Sequence, residues 1–373
     1  MKVADISFSY DEGITTEEHL LQQHYTITGW VEALQKQGVE IVVLKRFSKE
    51  SSFKRNTVQH HFIKDFFGGR LRPWHIPIKF LNKIKNLHVD VVHIHGFMFP
   101  VQVLLLKLLL SPKTILILQH HGGNPPKGIK GYLYGMMNSA ADGFFFTTMQ
   151  QGKEWFEKKQ LSKIMPVMEG SNNFVSCKKS AAGEIIQLKG NPIFLWVGRL
   201  DNNKDPLTVL TGFEMLAKKY PTISLYMVYG DDNLLKAVKH KIDSSMTLSK
   251  SVHLLGNIPH NELQAYYNSA DYFILGSHHE GSGYALSEAL ACGCIPIVTN
   301  IPSFTMMTDN ARLGALWQTG NSQSFMEASI TAMKKDIQIE SKACTDFFET
   351  HLSFDAIAST AIMHYQKAIH RHS

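Results

Sequence analysis

Cysteine is scarce in this sequence. The 373 residues include Cys177, Cys292, Cys294 and Cys344, without a C-x-x-C pair and without the density of a disulfide-stabilised domain. We therefore expect reduced thiols and no cysteine-ligated metal. The scarcity excludes a small disulfide scaffold and the common structural zinc modules.

Long hydrophobic runs are also missing. A membrane-spanning helix needs about 20 consecutive apolar residues, whereas the best stretch, residues 103–110, is short and contains Lys107. The start of the chain predicts a strand with Asp5 inside it, and it lacks the basic and apolar regions of a signal peptide. The sequence favours neither a bilayer-spanning nor an exported protein, so the cytoplasm is the expected location.

Acidic residues are outnumbered, and the net charge is +6 in a chain that is 44% hydrophobic and 19% charged. This composition is globular, and the charge suggests an anionic partner. Basic residues concentrate in region 46–85, where aromatic residues are interleaved. The pattern fits peripheral contact with the inner face of a membrane or a charged acceptor, and it equally fits a solvated face over core aromatics.

The chain length predicts two domains. In both halves, short runs of β-branched and aromatic residues alternate with helical periods, which indicates βαβ units around parallel sheets. A long helix is expected over residues 16–37, ending at Gly38. The predicted strands cover residues 3–8, 40–44, 91–95, 114–118 and 143–147, then 193–197, 223–229, 251–255, 272–275 and 295–298.

The predicted fold is therefore α/β, with two doubly wound parallel-sheet domains. The expected bounds are 1–176 for an N-terminal acceptor domain, 177–190 for a linker, 191–353 for a C-terminal nucleotide-binding domain and 354–373 for a final helix. Ligands of such sheets bind at the carboxyl ends of the strands. Two facing domains would place those ends along one central cleft.

The strongest chemical signal is segment 277–293, which follows a predicted strand and opens a helix. Gly281 and Gly283 allow the backbone to turn sharply there, and the amide groups at a helix start form an anion site suited to a diphosphate. Glu280 precedes the helix and Glu288 lies within it. Two carboxylates beside such amides can accept hydrogen bonds from sugar and ribose hydroxyls.

A second signal lies in segment 196–205, where a predicted strand ends at Gly198 and Arg199 and Lys204 follow on the loop. Cations at this position can reach a diphosphate.

These motifs resemble the retaining glycosyltransferases of family 4, which have the GT-B fold of two Rossmann-like domains. The E-x7-E pattern of that family matches Glu280 and Glu288, and its VGRL-x-x-x-K segment matches residues 197–204. The loop at Gly256 is similar to the one that meets the nucleotide base. The resemblance covers the second half of the chain and extends more faintly to the first.

The resemblance implies a role for each matching residue. Glu288 would hold the ribose hydroxyls, Glu280 would lie beside the donor sugar, and Arg199, Lys204 and Glu280 would act in catalysis. The implied donor-binding residues are Gly198, Arg199, Lys204, Gly256, Glu280, Gly281, Ser282, Gly283, Tyr284 and Glu288.

In the first half, histidines follow two predicted strands. His93 and His95 end one strand, and His120 and His121 follow the next. The resemblance implies a histidine at the second place that bonds to the donor sugar or steers the acceptor; His121 matches best and His120 is close behind. His95 is a further candidate. A zinc site from these histidines lacks a completing carboxylate or thiol, and the family is metal-independent, so no metal is expected.

The first loop departs from the family pattern. Many relatives carry a glycine pair after the first strand, whereas residues 9–14 here contain only Gly13. Gly13 is kept as a candidate for contact with a ligand.

The expected function is transfer of a sugar from a nucleotide-diphosphate sugar to an acceptor hydroxyl in glycan, polysaccharide or glycolipid synthesis. No cofactor is expected, and a UDP- or GDP-sugar is favoured over an ADP-sugar as co-substrate. The acceptor would be a sugar, a lipid-linked sugar or a small molecule.

One alternative to this function is a nucleotide-sugar 2-epimerase of the same fold. The other is a basic nucleic-acid-binding protein using region 46–85, although none of the short recognition modules is present.

Overall fold

The computed structural model describes residues 1–156, 158–179 and 186–372. These residues divide into two compact units, one formed by Met1–Ser171 with the C-terminal residues from Phe354, the other by Asn172–Ser353. The first unit thus ends at Ser171 rather than at residue 176. The reason is that Asn172 donates from Nδ2 to Ser287 Oγ at 3.1 Å, which ties it into the second unit. Within the expected linker, residues 180–185 lie outside the described part of the chain.

The first unit is built on one sheet with strand order β3-β4-β2-β1-β5-β6-β7-β8 in the described residues. Its pairs are parallel except β3 with β4, which form an antiparallel hairpin. The strands are β1 (Lys2–Ser7), β2 (Glu40–Arg46), β3 (Ser51–Arg55), β4 (Val58–Ile63), β5 (Val91–His95), β6 (Ile115–Gln119), β7 (Gly143–Phe146) and β8 (Ile164–Pro166).

Helices flank this sheet. They are α1 (Glu17–Gln23), α2 (Tyr25–Lys36), α3 (Ile78–Lys85), α4 (Pro100–Leu109), α5 (Gly128–Ala140) and α6 (Met149–Trp155), with a 3-10 helix at Lys158–Lys163. The single helix expected over residues 16–37 is wrong, because the chain breaks at His24. His24 Nε2 contacts Asp11 Oδ2 at 3.1 Å, so the break fastens α1 and α2 to the loop after β1.

The hairpin of β3 and β4 lies inside region 46–85 and changes its interpretation. Asn56 and Thr57 turn the hairpin with φ values of 46° and 73°, the backbone that a tight hairpin turn requires. Arg46 is buried and forms an ion pair with Asp65, and Phe62 belongs to the core. Region 46–85 is therefore not one continuous surface, because buried core residues alternate with exposed ones along it.

The second unit has an entirely parallel sheet with strand order β11-β10-β9-β12-β13-β14 in the described residues. Its strands are β9 (Ile193–Val197), β10 (Ser224–Val228), β11 (Val252–Gly256), β12 (Tyr272–Leu275), β13 (Ile295–Thr299) and β14 (Ala315–Trp317). Its helices are α7 (Pro206–Lys219), α8 (Leu235–Asp243), α9 (Met246–Ser251), α10 (His260–Ser269), α11 (Tyr284–Ala291), α12 (Pro302–Met307), α13 (Ser322–Met333) and α14 (Ile337–Phe347), followed by a π-helical turn at Phe348–Leu352.

The last helix, α15 (Phe354–His372), belongs to the first unit. Phe354 packs against Gly29 of α2, where an added Cβ would lie only 2.5 Å from its ring. Further along, the hydroxyl of Tyr365 bonds to the buried His93 of β5. The helix thereby contacts the sheet at His93. None of the helices in the described part of the chain has both the length and the apolar character needed to span a bilayer.

Strand order locates the ligand-binding edge of each sheet. In the first sheet the crossovers reverse direction between β1 and β5, and in the second they reverse between β9 and β12. Loops at such a switch point diverge and leave a crevice at the carboxyl ends of the strands. The loops after β9 and β12 carry the two chemical motifs, and the loop after β1 carries Gly13.

Candidate active site

The loops after β9 and β12 are joined by a buried ion pair. Lys204 Nζ contacts Glu280 Oε1, and the two side chains are 13% and 14% exposed. Ser277 Oγ donates to the same carboxylate oxygen at 2.8 Å. The ammonium and the hydroxyl thus replace hydrogen bonds to water that the carboxylate loses on burial. The structure thus brings together two residues that are 76 positions apart in the sequence.

Backbone contacts reinforce this junction. Asn203 Nδ2 donates to His279 O at 3.0 Å, and Asn203 Oδ1 accepts from the amide of His279 at 3.1 Å. The amide of His278 donates to Asn203 O at 2.8 Å. Gly276 allows this approach, because an added Cβ would lie 2.9 Å from Lys204 O. The two loops therefore form one substructure, which we call the joined loops, residues 198–205 and 276–283.

The two cations of the first motif occupy different environments. Arg199 is 61% exposed, and its Nε lies 3.3 Å from Asp201 Oδ2. The other oxygen of Asp201 accepts from the amide of Lys204 at 2.9 Å, which fixes the loop backbone. Lys204 is thus positioned inside the junction, and Arg199 extends from it into solvent.

Helix α11 begins beside this junction at Gly283, which has φ 58° and ψ 44°. Only glycine adopts this left-handed conformation at little cost, and an added Cβ would meet Met307 Sδ at 2.9 Å. Ser282 is 7% exposed, and Tyr284 is half-buried. Glycine has no side chain with which to cap the helix, so the positive end of α11 retains amide groups suited to an anion.

Glu288 lies inside α11 and is 5% exposed. Its Oε1 contacts His260 Nε2 at 2.7 Å, and its Oε2 accepts from the Tyr267 hydroxyl at 2.9 Å. Burial and the neighbouring Glu288 raise the pKa of Tyr267 well above its usual value, so this phenol stays a donor. The ring of His260 stacks on Phe174 with centroids 5.0 Å apart. The carboxylate is therefore oriented before any ligand arrives.

Sequence reasoning missed His260 and Tyr267. Both belong to α10, and His260 directly follows the Gly256–Pro259 loop that was proposed to meet the nucleotide base. A histidine at the first position of a helix, next to a predicted ligand loop, was the only signal that could have indicated it.

The remaining predicted glycines lie at strand ends of the second sheet. Gly198 follows β9, and an added Cβ would lie 3.4 Å from Leu275 and 3.6 Å from Lys204. Gly256 ends β11 with φ 74°, and an added Cβ would meet nothing within 4 Å. Gly281 is half-buried within the joined loops. All the predicted donor residues therefore lie in the second unit at the carboxyl edge of its sheet.

In the first unit, His121 and His95 are linked in one chain of contacts. His95 Nε2 lies 3.0 Å and 2.9 Å from the two oxygens of Asp5, and Asp5 also accepts from Trp30 Nε1 at 3.2 Å. His95 Nδ1 lies 2.9 Å from His121 Nε2. The side chain of His121 is 31% exposed, and its Nδ1 lies 3.8 Å from Glu169 Oε1. Burial alone would raise the pKa of Asp5, but His95, His93 and Trp30 together outweigh burial and lower it.

The other histidines of this region lie in the interior. His120 stacks on Phe146 with centroids 4.8 Å apart, and burial lowers its pKa to about 4. The structure therefore places His120 in an aromatic core, whereas the side chain of His121 is partly exposed. His93 bonds to Tyr365 and to Gln119 Oε1, and burial lowers its pKa to about 3.

Asp5, His93 and His95 offer ligand atoms within 4.8 Å of one another, the spacing of a metal site, so the expectation that no carboxylate accompanies these histidines is wrong. However, both ring nitrogens of each histidine already contact protein side chains. These contacts account for the cluster without an ion, and the absence of a bound metal in the reaction stays a prediction.

Gly13 lies in the loop after β1 with φ 86°, and an added Cβ would meet nothing within 4 Å. The loop is anchored by Asp11, whose Oδ2 contacts Lys45 Nζ at 2.7 Å and His24 Nε2 at 3.1 Å. The hydrogen bond from His24 is the main cause that lowers the pKa of Asp11. A single glycine thus sits at the tip of a charged, fixed loop.

Solved structures define the fold class. A glycosyltransferase from Rickettsia africae superposes with a TM-score of 0.73 at 15% identity, covering 99% of this chain and 98% of that one. The catalytic domain of starch synthase IV from Arabidopsis thaliana, bound to ADP and acarbose, gives 0.69 at 14% identity and covers 99% of both chains. With two parallel-sheet α/β units, the chain has the predicted GT-B fold.

Sequence comparison defines the family. The model described as Glycosyltransferase Family 4 matches residues 24–193, and the model described as Glycosyl transferases group 1 matches residues 182–347. The chain belongs to glycosyltransferase family 4, as its motifs predicted.

Curated relatives match over part of their length. A GDP-mannose:cellobiosyl-diphosphopolyprenol alpha-mannosyltransferase from Xanthomonas oryzae is 25% identical over 61% of this chain and 60% of its own. A UDP-Gal:alpha-D-GlcNAc-diphosphoundecaprenol alpha-1,3-galactosyltransferase from Escherichia coli is 30% identical over 43% of this chain and 42% of its own. The matched stretches thus span less than two thirds of either relative.

The contact between His260 and Glu288 predicts a pH-dependent stability. The hydrogen bond to Glu288 raises the pKa of His260 above its usual value of about 6.5. Because the folded pKa is the higher one, the pair stabilises fully below the unfolded pKa and loses this contribution as pH rises through the folded pKa. The melting temperature of wild type minus that of His260→Gln should therefore shrink as pH rises above about 6.5.

His253 is the matched control, since its ring stacks on Tyr226 and burial lowers its pKa. Its neutral form is the stabilising one, so the difference between wild type and His253→Gln should grow as pH rises through the folded pKa. Parallel trends for the two variants would contradict the assigned role of Glu288 as the partner of His260.

Proposed function

We propose that this protein transfers a sugar from a nucleotide-diphosphate sugar to an acceptor hydroxyl, with retention of configuration at the anomeric carbon. The observation that carries the proposal is the joined loops, which place Lys204, Glu280 and the start of α11 together at the sheet's switch point. The second unit would bind the donor, and the first would bind the acceptor.

The diphosphate of the donor would bind at the positive end of α11. Arg199 is exposed there and able to approach an anion, and Lys204 is held nearby by Glu280. As the bond from the sugar to the phosphate breaks, the leaving phosphate gains charge, which fixed cations and helix amides stabilise without reorganising. This positive environment supports chemistry without a metal ion.

Glu288 would accept hydrogen bonds from the ribose hydroxyls. Tyr267 and His260 each occupy one carboxylate oxygen, and a carboxylate oxygen has lone pairs for more than one donor. His260 is 45% exposed, so a ligand could reach it or take its place. Glu280 would contact the donor sugar from the joined loops.

The names of the curated relatives favour a UDP- or GDP-sugar as donor and a lipid-linked sugar as acceptor. A diphosphopolyprenol-linked acceptor is confined to a membrane surface. The enzyme would therefore act peripherally at the inner face of the membrane, in polysaccharide or glycolipid synthesis.

The structure offers one segment suited to that surface, residues 64–78. Phe66 is 95% exposed, Trp74 69% and Ile78 64%, far more than is usual for large apolar side chains. The guanidinium of Arg72 lies 5.6 Å from the centre of the Trp74 ring. Apolar side chains that insert at the headgroup level, with cations beside them, are the chemistry of an anionic bilayer surface.

We expect nucleotide diphosphates to stabilise the protein through the joined loops. A ligand that binds only the folded state stabilises the protein by mass action and so raises its melting temperature. At a ligand concentration of 100 times the dissociation constant, the free energy of unfolding rises by about 2.7 kcal/mol. In a thermal-shift comparison of UDP, GDP and ADP with their sugars, UDP or GDP ligands should give the largest shift, and Lys204→Ala and Glu288→Gln should lose most of it.

Lys218→Ala is the matched control, because Lys218 forms an ion pair with Glu214 at 2.9 Å in the same unit. It should keep the full shift. Equal shifts in Lys218→Ala and Lys204→Ala would contradict the proposed donor site.

With the donor identified, nuclear magnetic resonance of the product reports the anomeric configuration. If the enzyme converts the donor to its 2-epimer when no acceptor is present, its function is epimerisation and not sugar transfer.

Binding to vesicles should depend on the exposed segment. Burying one large apolar side chain is worth about 1.5–3 kcal/mol, so Phe66→Ser and Trp74→Ser should each weaken binding to phosphatidylglycerol-containing vesicles by roughly tenfold or more. Added salt should weaken wild-type binding, because it screens the attraction between the basic residues and the negative surface potential of the vesicles. Vesicle co-sedimentation measures both effects.

Ile339→Ser provides the control, since Ile339 is 69% exposed in the second unit. It should bind vesicles as wild type does. If Phe66→Ser and Trp74→Ser bind as Ile339→Ser does, or if pure phosphatidylcholine vesicles bind equally well, residues 64–78 do not form the docking surface.

A further inference from the structure

Asp5, His95 and His121 form a hydrogen-bonded chain from the buried core of the first unit to its surface. Asp5 is 1% exposed and His95 7%, whereas the side chain of His121 is 31% exposed. The strand β1 supplies Asp5, the adjacent β5 supplies His95, and the loop after β6 supplies His121. The parallel register of neighbouring strands therefore sets the spacing of the chain.

The hydrogens in this chain can be assigned from its partners. A carboxylate only accepts, so His95 must donate to Asp5 from Nε2. A neutral His95 then has only a lone pair on Nδ1, so the hydrogen in its 2.9 Å contact with His121 Nε2 belongs to His121. Of the ring nitrogens in the two histidines, only Nδ1 of His121 is left to gain or lose a proton.

We propose that Asp5 and His95 are positioning residues that fix the ring of His121, so that its Nδ1 meets a substrate hydroxyl. Neutral Nδ1 accepts a hydrogen bond from that hydroxyl, and protonated Nδ1 donates one. In the protonated state the positive charge is shared over both rings through their common hydrogen and faces the Asp5 carboxylate. The inference rests on the proposed function for the identity of the hydroxyl, but the hydrogen-bond chain itself does not.

The surroundings favour a defined protonation pattern. Trp30 Nε1 donates to Asp5, and its bond adds to that from His95 in holding the carboxylate. His93 lies next to His95 with ring centroids 4.8 Å apart, but burial lowers its pKa to about 3 and keeps it neutral. Glu169 Oε1 lies 3.8 Å from Nδ1 of His121. Lys45, His60 and Tyr365 are the other titratable groups that interact electrostatically with Asp5.

The first arm of the test is nitrogen-15 nuclear magnetic resonance of the full chain with labelled histidine. The signals of His121 are identified by comparison with His121→Gln. We expect His95 Nε2 to carry a hydrogen and the neutral ring of His121 to be held in a single tautomer, with its hydrogen on Nε2. In Asp5→Leu the ring of His121 should show a mixture of both tautomers. Tyr365→Phe, which removes a hydroxyl from the neighbouring His93, should leave the His121 pattern unchanged.

The second arm is a double-mutant cycle on the transfer rate. A positioned hydrogen-bonding histidine contributes on the order of 10²-fold or more to the rate, so His121→Gln should lose roughly that factor in kcat. His95→Phe and Asp5→Leu should lower kcat with little change in KM for the donor. In the His121→Gln background, they should cause no further loss, because they act only through His121.

Losses that multiply in the double variants would overturn the positioning role, as would a hydrogen on His95 Nδ1 with His95 Nε2 unprotonated. If no donor and acceptor turn over, the proposed function fails while the resonance arm still decides the protonation pattern.

Discussion

The ion pair between Lys204 and Glu280 is the interaction on which the donor site depends. Burying a lone charge is costly, so each of these side chains constrains where the other can lie. The backbone contacts of Asn203 and the absent side chain of Gly276 then leave the two loops one arrangement. Because that arrangement sits where the crossovers reverse, the start of α11 and the exposed Arg199 are brought to the same edge of the sheet.

The first unit applies the same principle with different residues. Its switch point lies between β1 and β5, and the charged residue placed there is Asp5, which is held by His95 and Trp30. In both units a carboxylate with little exposure is given partners by neighbouring strands or loops. Fixed polar groups of this kind act on a substrate without first having to reorganise, which is the property that catalysis by electrostatic stabilisation requires.

The sequence predicted the fold and family well, because hydrophobic periodicity and the motif around Glu280 and Glu288 are local signals. The hairpin of β3 and β4 was missed because Asn56 and Thr57 lack the glycine that marks most such turns. Tyr267 was missed because its bond to Glu288 joins residues 21 positions apart, and no spacing rule identifies such a pair. The sequence ranked His120 only just behind His121; the packing of Phe146 against His120 identifies His120 as the interior residue.

Amide hydrogen exchange with and without a nucleotide diphosphate tests the central claim most directly, because it reads the joined loops themselves. Bound UDP or GDP should slow exchange in residues 198–205 and in residues 276–286, which include the start of α11, and should leave the hairpin of β3 and β4 unchanged. Binding of the nucleotide with protection in other segments, and none in these two, would contradict the account.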